Sequence, residues 1–154
     1  GKIDSLIKKF TKVDEELFVR MAQCSALFPM MQFSWAPWRM LGKEAQKYCL
    51  DAAKLHARFA DYIVENVKAS AVSGEPILRS LEYQYPHKGY AKITDQFLLG
   101  DRVLVAPVIE KGKTDRQVTL PEGEWLYLEK IPYIGGVTVT VPAPIDTLPY
   151  FVKR

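Results

Sequence analysis

The sequence predicts a chain whose first part alternates helices and strands and whose second part is all β. Apolar residues recur every three or four positions over residues 43–71, which places them on one helix face. From residue 95 onward the pattern shortens to brief apolar or β-branched runs separated by glycine and proline. The 154 residues are enough to bury a core without disulfides, but a complete (β/α)8 barrel takes about 250 residues.

The first helix is predicted to begin after Asp14. The Asp14 side chain can cap the helix, and Glu15 and Glu16 complement the positive end of its dipole. Pro29 ends the helix at about residue 28, and residues 30–35 follow as a short extended segment.

The periodicity of residues 43–71 predicts one long helix, which Gly74 caps at its carboxyl end. Residues 77–81 follow as a strand. A helix between two strands is the unit of a parallel sheet, so this part is predicted to be α/β. Two parallel strands do not make a covered sheet, so this part is expected to pack on the β part, to dimerise or to belong to something larger.

The second part is predicted to be a small antiparallel β-sandwich or barrel. The expected strands are residues 102–109, 116–120, 124–128, 137–141 and 148–153, with glycine or proline between them. The change of pattern near residues 90–95 predicts two domains, residues 1–94 and residues 95–154.

The charge pattern predicts no nucleic-acid partner. There are 21 Lys and Arg residues against 18 Asp and Glu residues, a net charge of +3, and the basic residues are scattered. The densest basic group, Lys8, Lys9 and Lys12, lies among acidic residues and is interpreted as a solvated face. No apolar run approaches the length of about 18 residues that spans a bilayer, so no membrane partner is expected.

Neither the cysteines nor the histidines predict a metal or a cofactor. Cys24 and Cys49 lack a CxxC spacing and nearby histidines, and are expected to be buried free thiols. His56 falls on a predicted helix as a surface or boundary residue. His87 lies in the aromatic loop of residues 83–90, where it either packs in a turn or orients a polar ligand.

Residues 32–38 are the most distinctive candidate for a binding site. Gln32 and Ser34 stand beside three large aromatic residues, among them Trp35. A pyranose presents apolar C–H faces to aromatic rings and hydroxyls to amide and hydroxyl side chains. The spacing alone agrees equally with an aromatic cluster that caps a core.

Ordered blocks cover nearly the whole chain and together carry a family resemblance. They are DEELFVRMAQCSALFPMMQFSWAPWR at residues 14–39, GEPILRSLEYQYPHKGY at 74–90, DQFLLGDRVLVAPVIEKG at 95–112, and a tail with LPEGEW at 120–125, YIGG at 133–136 and APIDTLPYFVKR at 143–154. These blocks resemble the C-terminal part of glycoside hydrolase family 31.

The resemblance implies a parent enzyme with a (β/α)8 barrel that hydrolyses α-glycosides with retention, using an aspartate nucleophile and an aspartate acid/base. Both aspartate motifs of the family lie upstream of the blocks matched here, so no catalytic residue is assigned. By resemblance, Glu75, Asp95 and Asp101 match structural blocks. The chain is then expected to supply the last two barrel strands, residues 29–34 and 77–81, and the proximal C-terminal β-domain.

The resemblance also bears on substrate and partners. Many family members carry Arg and His where Gln32 and Ser34 align, and the QFSxxPW form resembles a subset that includes enzymes acting on α-galactosides. The expected ligand is an α-linked glucoside or galactoside, with Gln32, Ser34 and Trp35 on the substrate side. The isolated chain is expected to be inactive; the alternative is a non-catalytic carbohydrate-binding or structural β-module.

Apolar side chains that a complete barrel would cover predict either self-association of the chain, as a dimer or higher oligomer, or a rearranged first half. The expected uncovered residues are Leu17, Met21, Leu55 and Phe59.

Overall fold

The computed structural model describes residues 13–154, so the group of Lys8, Lys9 and Lys12 lies outside the described residues. The helices are α1 (Glu15–Ala26), α2 (Pro37–Met40), α3 (Lys43–Arg58), α4 (Ala60–Ser73) and α5 (Leu81–Gln84). The strands are β1 (Leu78–Arg79), β2 (Phe97–Leu99), β3 (Val103–Val105), β4 (Asp115–Leu120), β5 (Glu124–Tyr127), β6 (Ile131–Ile134), β7 (Val137–Pro142) and β8 (Tyr150–Lys153). Among the helices of residues 13–154, none has the length and apolar character needed to cross a membrane.

The predicted start of α1 is confirmed. The Asp14 carboxylate accepts a hydrogen bond from the backbone N–H of Leu17 at 3.1 Å, which satisfies one of the free donors of the first turn. The same carboxylate pairs with the Lys111 ammonium at 2.5 Å, and this hydrogen bond lowers the pKa of Asp14. The residue that starts α1 therefore also ties it to the turn before β4.

The single long helix predicted over residues 43–71 is wrong, because it divides into α3 and α4 at Phe59. Phe59 has φ −91° and ψ 6°, and its buried ring packs edge-on against Tyr150, with 5.7 Å between the ring centroids. This contact comes from a distant part of the chain, so the periodicity could not show the break. The cap at Gly74 is confirmed, with φ 77° in the left-handed region that glycine enters without strain.

Two antiparallel sheets make up the β part. One has six strands in the order β1-β2-β3-β8-β5-β6, and the other pairs β4 with β7 over six residue pairs. The prediction of antiparallel strands is confirmed, and β2 and β6 are additional strands. β1 lies before residue 95 but pairs antiparallel with β2, so the six-stranded sheet contains residues from both sides of the predicted domain boundary.

The central strands of the six-stranded sheet have both faces buried. Successive side chains of a strand point to opposite faces. One face packs on the helices through Leu99, Val103, Val105 and Tyr150. The opposite face packs on the β4–β7 sheet through Leu98, Leu104, Ala106 and Phe151. The molecule therefore has three layers: helices, a six-stranded sheet and a two-stranded sheet.

Residues 29–34, the first of the two expected barrel strands, form no strand within the described part of the chain. These residues form bends and irregular backbone and pair with no strand there. A strand exists only through ladder hydrogen bonds to a neighbour, and β1, its expected parallel partner, pairs with β2 instead.

Arg20 of α1 connects this helix to the β part through backbone carbonyls. Its Nη1 donates to the carbonyls of Pro144 at 3.2 Å and Thr147 at 3.0 Å. Its Nη2 donates to the carbonyls of Lys113 at 3.1 Å and Ala143 at 2.8 Å. Arg20 is only 7% exposed, and this burial lowers the pKa of its guanidinium. One side chain thus holds two separate β-part segments against α1.

We expect Arg20→Met to lower the free energy of unfolding by about 3 kcal/mol or more, since each buried polar group left without a partner costs about 1–3 kcal/mol. The control is Arg154→Met, because the Arg154 side chain is 67% exposed and lies 3.9 Å from Glu124. Surface pairs of this kind contribute about 0–1 kcal/mol. Urea unfolding of both variants makes the comparison, and equal losses would contradict the role of Arg20.

Candidate functional site

Gln32, Ser34 and Trp35 lie together in the segment between α1 and α2. All three are exposed, with Trp35 at 43% exposure. Neither Gln32 nor Ser34 forms a side-chain hydrogen bond within the described residues. An amide, a hydroxyl and an indole are therefore available on one short stretch of surface.

The residues that alternate with them hold this segment in place. Met31 and Phe33 are half-buried against the core shared with the helices. The Phe33 ring stacks on the Phe18 ring of α1, with 6.4 Å between centroids and 3° between the planes. Buried and exposed residues alternate, as in a strand that packs on one side. The candidate side chains of Gln32 and Ser34 thus point away from a fixed apolar face.

The carboxylates that the sequence assigned to structural blocks have structural contacts. Glu75 accepts a hydrogen bond from the Tyr83 hydroxyl at 2.7 Å. Asp95 forms an ion pair with the largely buried Arg116 side chain at 2.7 Å. Both carboxylates therefore have a side-chain partner within the fold.

Each histidine contacts the backbone or sits in a tight turn. The His56 Nδ1 lies 2.9 Å from the carbonyl of Ala26, which joins α3 to the end of α1. His87 is exposed, with φ 62°, and its backbone N–H donates to the Glu82 carboxylate at 3.0 Å. The positive φ and this hydrogen bond agree with the interpretation that His87 packs in a turn. Its role in orienting a polar ligand stays a prediction.

No described residues form a metal centre or a reactive thiol site. Groups of three or more His, Cys, Asp or Glu side chains suited to a metal are absent from residues 13–154. Cys24 and Cys49 are both free, and burial raises the pKa of Cys49 to about 11 and also raises the pKa of Cys24. Both thiols are therefore protonated at neutral pH and poorly nucleophilic.

Two polar residues on the buried face of α1 were missed by the sequence reasoning. Arg20 and Gln23 alternate with buried Val19 and Ala22, and the Gln23 amide donates to the carbonyl of Ile145 at 2.7 Å. The signal was present, because a periodic apolar face that contains polar residues predicts buried hydrogen bonds. Their partners in the β part lie 93 or more residues away in the sequence and could not be named.

A cleft of about 330 Å³ was also missed. It lies between the first turns of α1 and α3 and the turn of residues 112–114. Its walls include Glu15, Glu16, Glu44 and Tyr48. The cleft is at the opposite end of α1 from Trp35, and a helix of this length extends about 18 Å.

Comparisons with known proteins agree on one family. A model of the glycosyl hydrolase family 31 C-terminal domain matches residues 74–154. The mouse myogenesis-regulating glycosidase is 34% identical over 144 residues, which is 90% of this chain and 20% of that protein. The sulfoquinovosidase of Escherichia coli strain K12 is 32% identical over 149 residues, 92% of this chain and 22% of that protein.

Solved structures match over the same extent. A dextranase of this family from Flavobacterium johnsoniae, complexed with glucose, matches with a TM-score of 0.83 and 34% identity, over 91% of this chain and 18% of that one. An α-xylosidase from Xanthomonas citri matches with a TM-score of 0.83 and 30% identity, over 91% of this chain and 16% of that one. The chain spans about a fifth of the length of the curated relatives named here.

We expect Trp35→Ala to lower the free energy of unfolding by about 1 kcal/mol or less, because its side chain is 43% exposed. The matched variant is Trp125→Ala. Trp125 is fully buried and its Nε1 donates to the carbonyl of Pro121 at 2.8 Å, so its loss should cost about 3–5 kcal/mol. Thermal and urea unfolding measure both. If Trp35→Ala is as destabilising as Trp125→Ala, Trp35 is a core residue.

Proposed function

Because the chain belongs to glycosyl hydrolase family 31, we propose that it is the C-terminal part of a retaining α-glycoside hydrolase. In this proposal the catalytic carboxylate pair belongs to another part of the parent polypeptide. Retention requires two carboxylates about 5–5.5 Å apart on opposite sides of the glycosidic bond. The 154-residue chain then contributes structure and substrate contacts and has no hydrolytic activity of its own.

The exposed Gln32–Ser34–Trp35 surface is the observation that carries this proposal. Within residues 13–154, these side chains form no hydrogen bond, ion pair or ring contact, whereas Glu75 and Asp95 have polar partners. In barrel enzymes the active site lies at the C-terminal ends of the strands. In the parent polypeptide, where upstream strands would supply the neighbours that this chain lacks, residues 29–34 and 77–81 would be the last two barrel strands and this surface would face the barrel mouth.

The proposed domain division follows from this placement. Residues 1–94 would belong to the barrel domain and residues 95–154 would form the proximal β-domain. The alternating exposure of residues 30–34 supports a strand that lacks its neighbours. Leu17 and Met21 are 58% and 63% exposed, which supports the expected uncovered face and self-association of the isolated chain through it. Phe59, expected on that face, is buried, and Leu55 is half-buried.

The proposed substrate is an α-linked glucoside or galactoside. The matched dextranase was solved with glucose, and a mutant of it with isomaltotriose. An indole can pack on the apolar face of a pyranose while Gln and Ser side chains bind its hydroxyls. The neutral Gln32 and Ser34 side chains bind hydroxyls without adding charge, which suits an uncharged sugar.

We expect no turnover when the purified chain is mixed with nitrophenyl α-glucoside or α-galactoside, because an acid and a nucleophile must face each other across the bond. The coding sequence upstream of Lys2 should encode a barrel with two aspartate motifs. A polypeptide that includes it should be active. Turnover by the 154-residue chain that disappears when one of its own carboxylates is replaced would refute the proposal. A longer polypeptide that binds sugars without turnover would favour the non-catalytic module.

In the longer enzyme, Trp35→Ala should weaken the binding of sugar or of the transition state by about 1–3 kcal/mol, as for the loss of an aromatic contact at a binding site. The substitution would raise KM if Trp35 contacts the bound substrate and the transition state equally strongly. It would lower kcat if the contact strengthens in the transition state. The measurement is kcat/KM per folded molecule, with the exposed Trp38→Ala as the neighbouring control. Unchanged kinetics would remove Trp35 from the substrate site.

A further inference from the structure

The cleft between α1 and α3 has an apolar floor and one aromatic wall. Val19 and Ala45 are buried at its base, and Ile145 lines it from the β part. The half-buried Tyr48 ring forms part of the wall, with the Lys47 ammonium 5.9 Å from its centroid over one of its two faces. At about 330 Å³, the cleft falls within the range of small-ligand sites, about 300–1,000 Å³.

Each of three carboxylates around the cleft uses one oxygen for a structural hydrogen bond. The backbone N–H of Gly42 donates to Glu15 Oε1 and that of Gly112 donates to Glu16 Oε1, both at 2.6 Å. The Tyr48 hydroxyl donates to a Glu44 oxygen at 2.7 Å. The second oxygen of each carboxylate has no hydrogen-bond partner within residues 13–154. These bonds fix the carboxylates and leave acceptors for a ligand.

Two basic residues also line the cleft. The Lys113 ammonium forms no ion pair within the described residues and lines the cleft. Arg20 also lines it, is 7% exposed, and its Nε–H is a buried donor without a partner in that part of the chain.

The chemical types of the residues that line the cleft indicate the class of ligand. The carboxylates do not converge as a metal site, since the described chain contains no cluster suited to an ion. Carboxylate acceptors, cationic residues, apolar residues and one aromatic ring around a single cleft match a neutral ring that carries hydroxyls around its edge.

We propose that this cleft binds one pyranose unit of a neutral oligosaccharide. The ring packs on Tyr48 and Ala45, its hydroxyls donate to the free oxygens of Glu15, Glu16 and Glu44, and Lys113 donates to a hydroxyl oxygen. The preference for α-glucosides or α-galactosides rests on the proposed function. The cleft holds this sugar at the amino end of α1, while Gln32, Ser34 and Trp35 follow its carboxyl end.

Titration of the ¹⁵N-labelled 154-residue chain with methyl α-glucoside, methyl α-galactoside or isomaltose tests the proposal. Saturable shifts are expected for the amides of Ala45 and Gly112. Tyr48→Ala should raise Kd at least about fivefold, the loss expected for one aromatic contact. Tyr83→Ala is the matched control, because the Tyr83 hydroxyl also donates to a glutamate at 2.7 Å, but outside the cleft. This control should leave Kd unchanged.

Three results would overturn the proposal. One is no saturable shift at Ala45 and Gly112 with any sugar up to about 50 mM, above the millimolar range of weak binding. The second is an equal response to glycerol, which has hydroxyls but no ring. The third is an equal effect of Tyr48→Ala and Tyr83→Ala.

Results that overturn the proposal for this cleft can be distinguished from results that overturn the proposed function. Shifts confined to the Trp35 indole would overturn sugar binding in the cleft and support sugar binding at the surface of Gln32, Ser34 and Trp35. If the variants do not fold as the isolated chain, the same pair is compared in the longer polypeptide by retention on an immobilised α-glucan. Loss of retention for Tyr48→Ala with kcat/KM on a short nitrophenyl glycoside unchanged supports the cleft, and unchanged retention overturns it.

Discussion

The burial of both faces of strands β2, β3 and β8 is the constraint on which the rest of the structure depends. Neighbouring residues such as Leu98 and Leu99 enter different cores, one against the β4–β7 sheet and one against the helices. A sheet with two apolar faces needs a covering layer on each side. The helices are therefore the layer without which one side of the β part would be exposed, and the two parts of the sequence share a core.

Polar contacts then fix how the helices lie on this sheet. Hydrophobic burial is non-directional and would allow α1 to slide on its apolar face. Arg20 removes that freedom by donating to carbonyls of two β-part segments, and Asp14 ties the start of the helix to Lys111. Because buried donors and acceptors are costly to leave unpaired, only one placement of α1 satisfies them all.

Both candidate sugar surfaces are consequences of that placement. The segment with Gln32, Ser34 and Trp35 leaves the carboxyl end of α1 and is held by the stack of Phe33 on Phe18. The cleft at the amino end forms because the Glu16 carboxylate holds the turn at Gly112. A fixed helix thus positions polar groups at both of its ends, which suits a domain of an enzyme family that acts on carbohydrates.

The sequence by itself determined the local features: the cap at Asp14, the stop at Gly74, the antiparallel strands and the family, because each depends on neighbouring residues or on ordered motifs. It also indicated an exposed polar and aromatic surface at Gln32, Ser34 and Trp35 but not what fixes it. The tertiary structure alone decided the break at Phe59, the pairing of β1 with β2 and, within the described chain, the lack of a strand partner for residues 29–34. The carbonyl partners of Arg20 and the cleft beside Tyr48 were likewise decided only in three dimensions. Each depends on groups far apart in sequence, and periodicity and capping rules describe only what lies within a few residues.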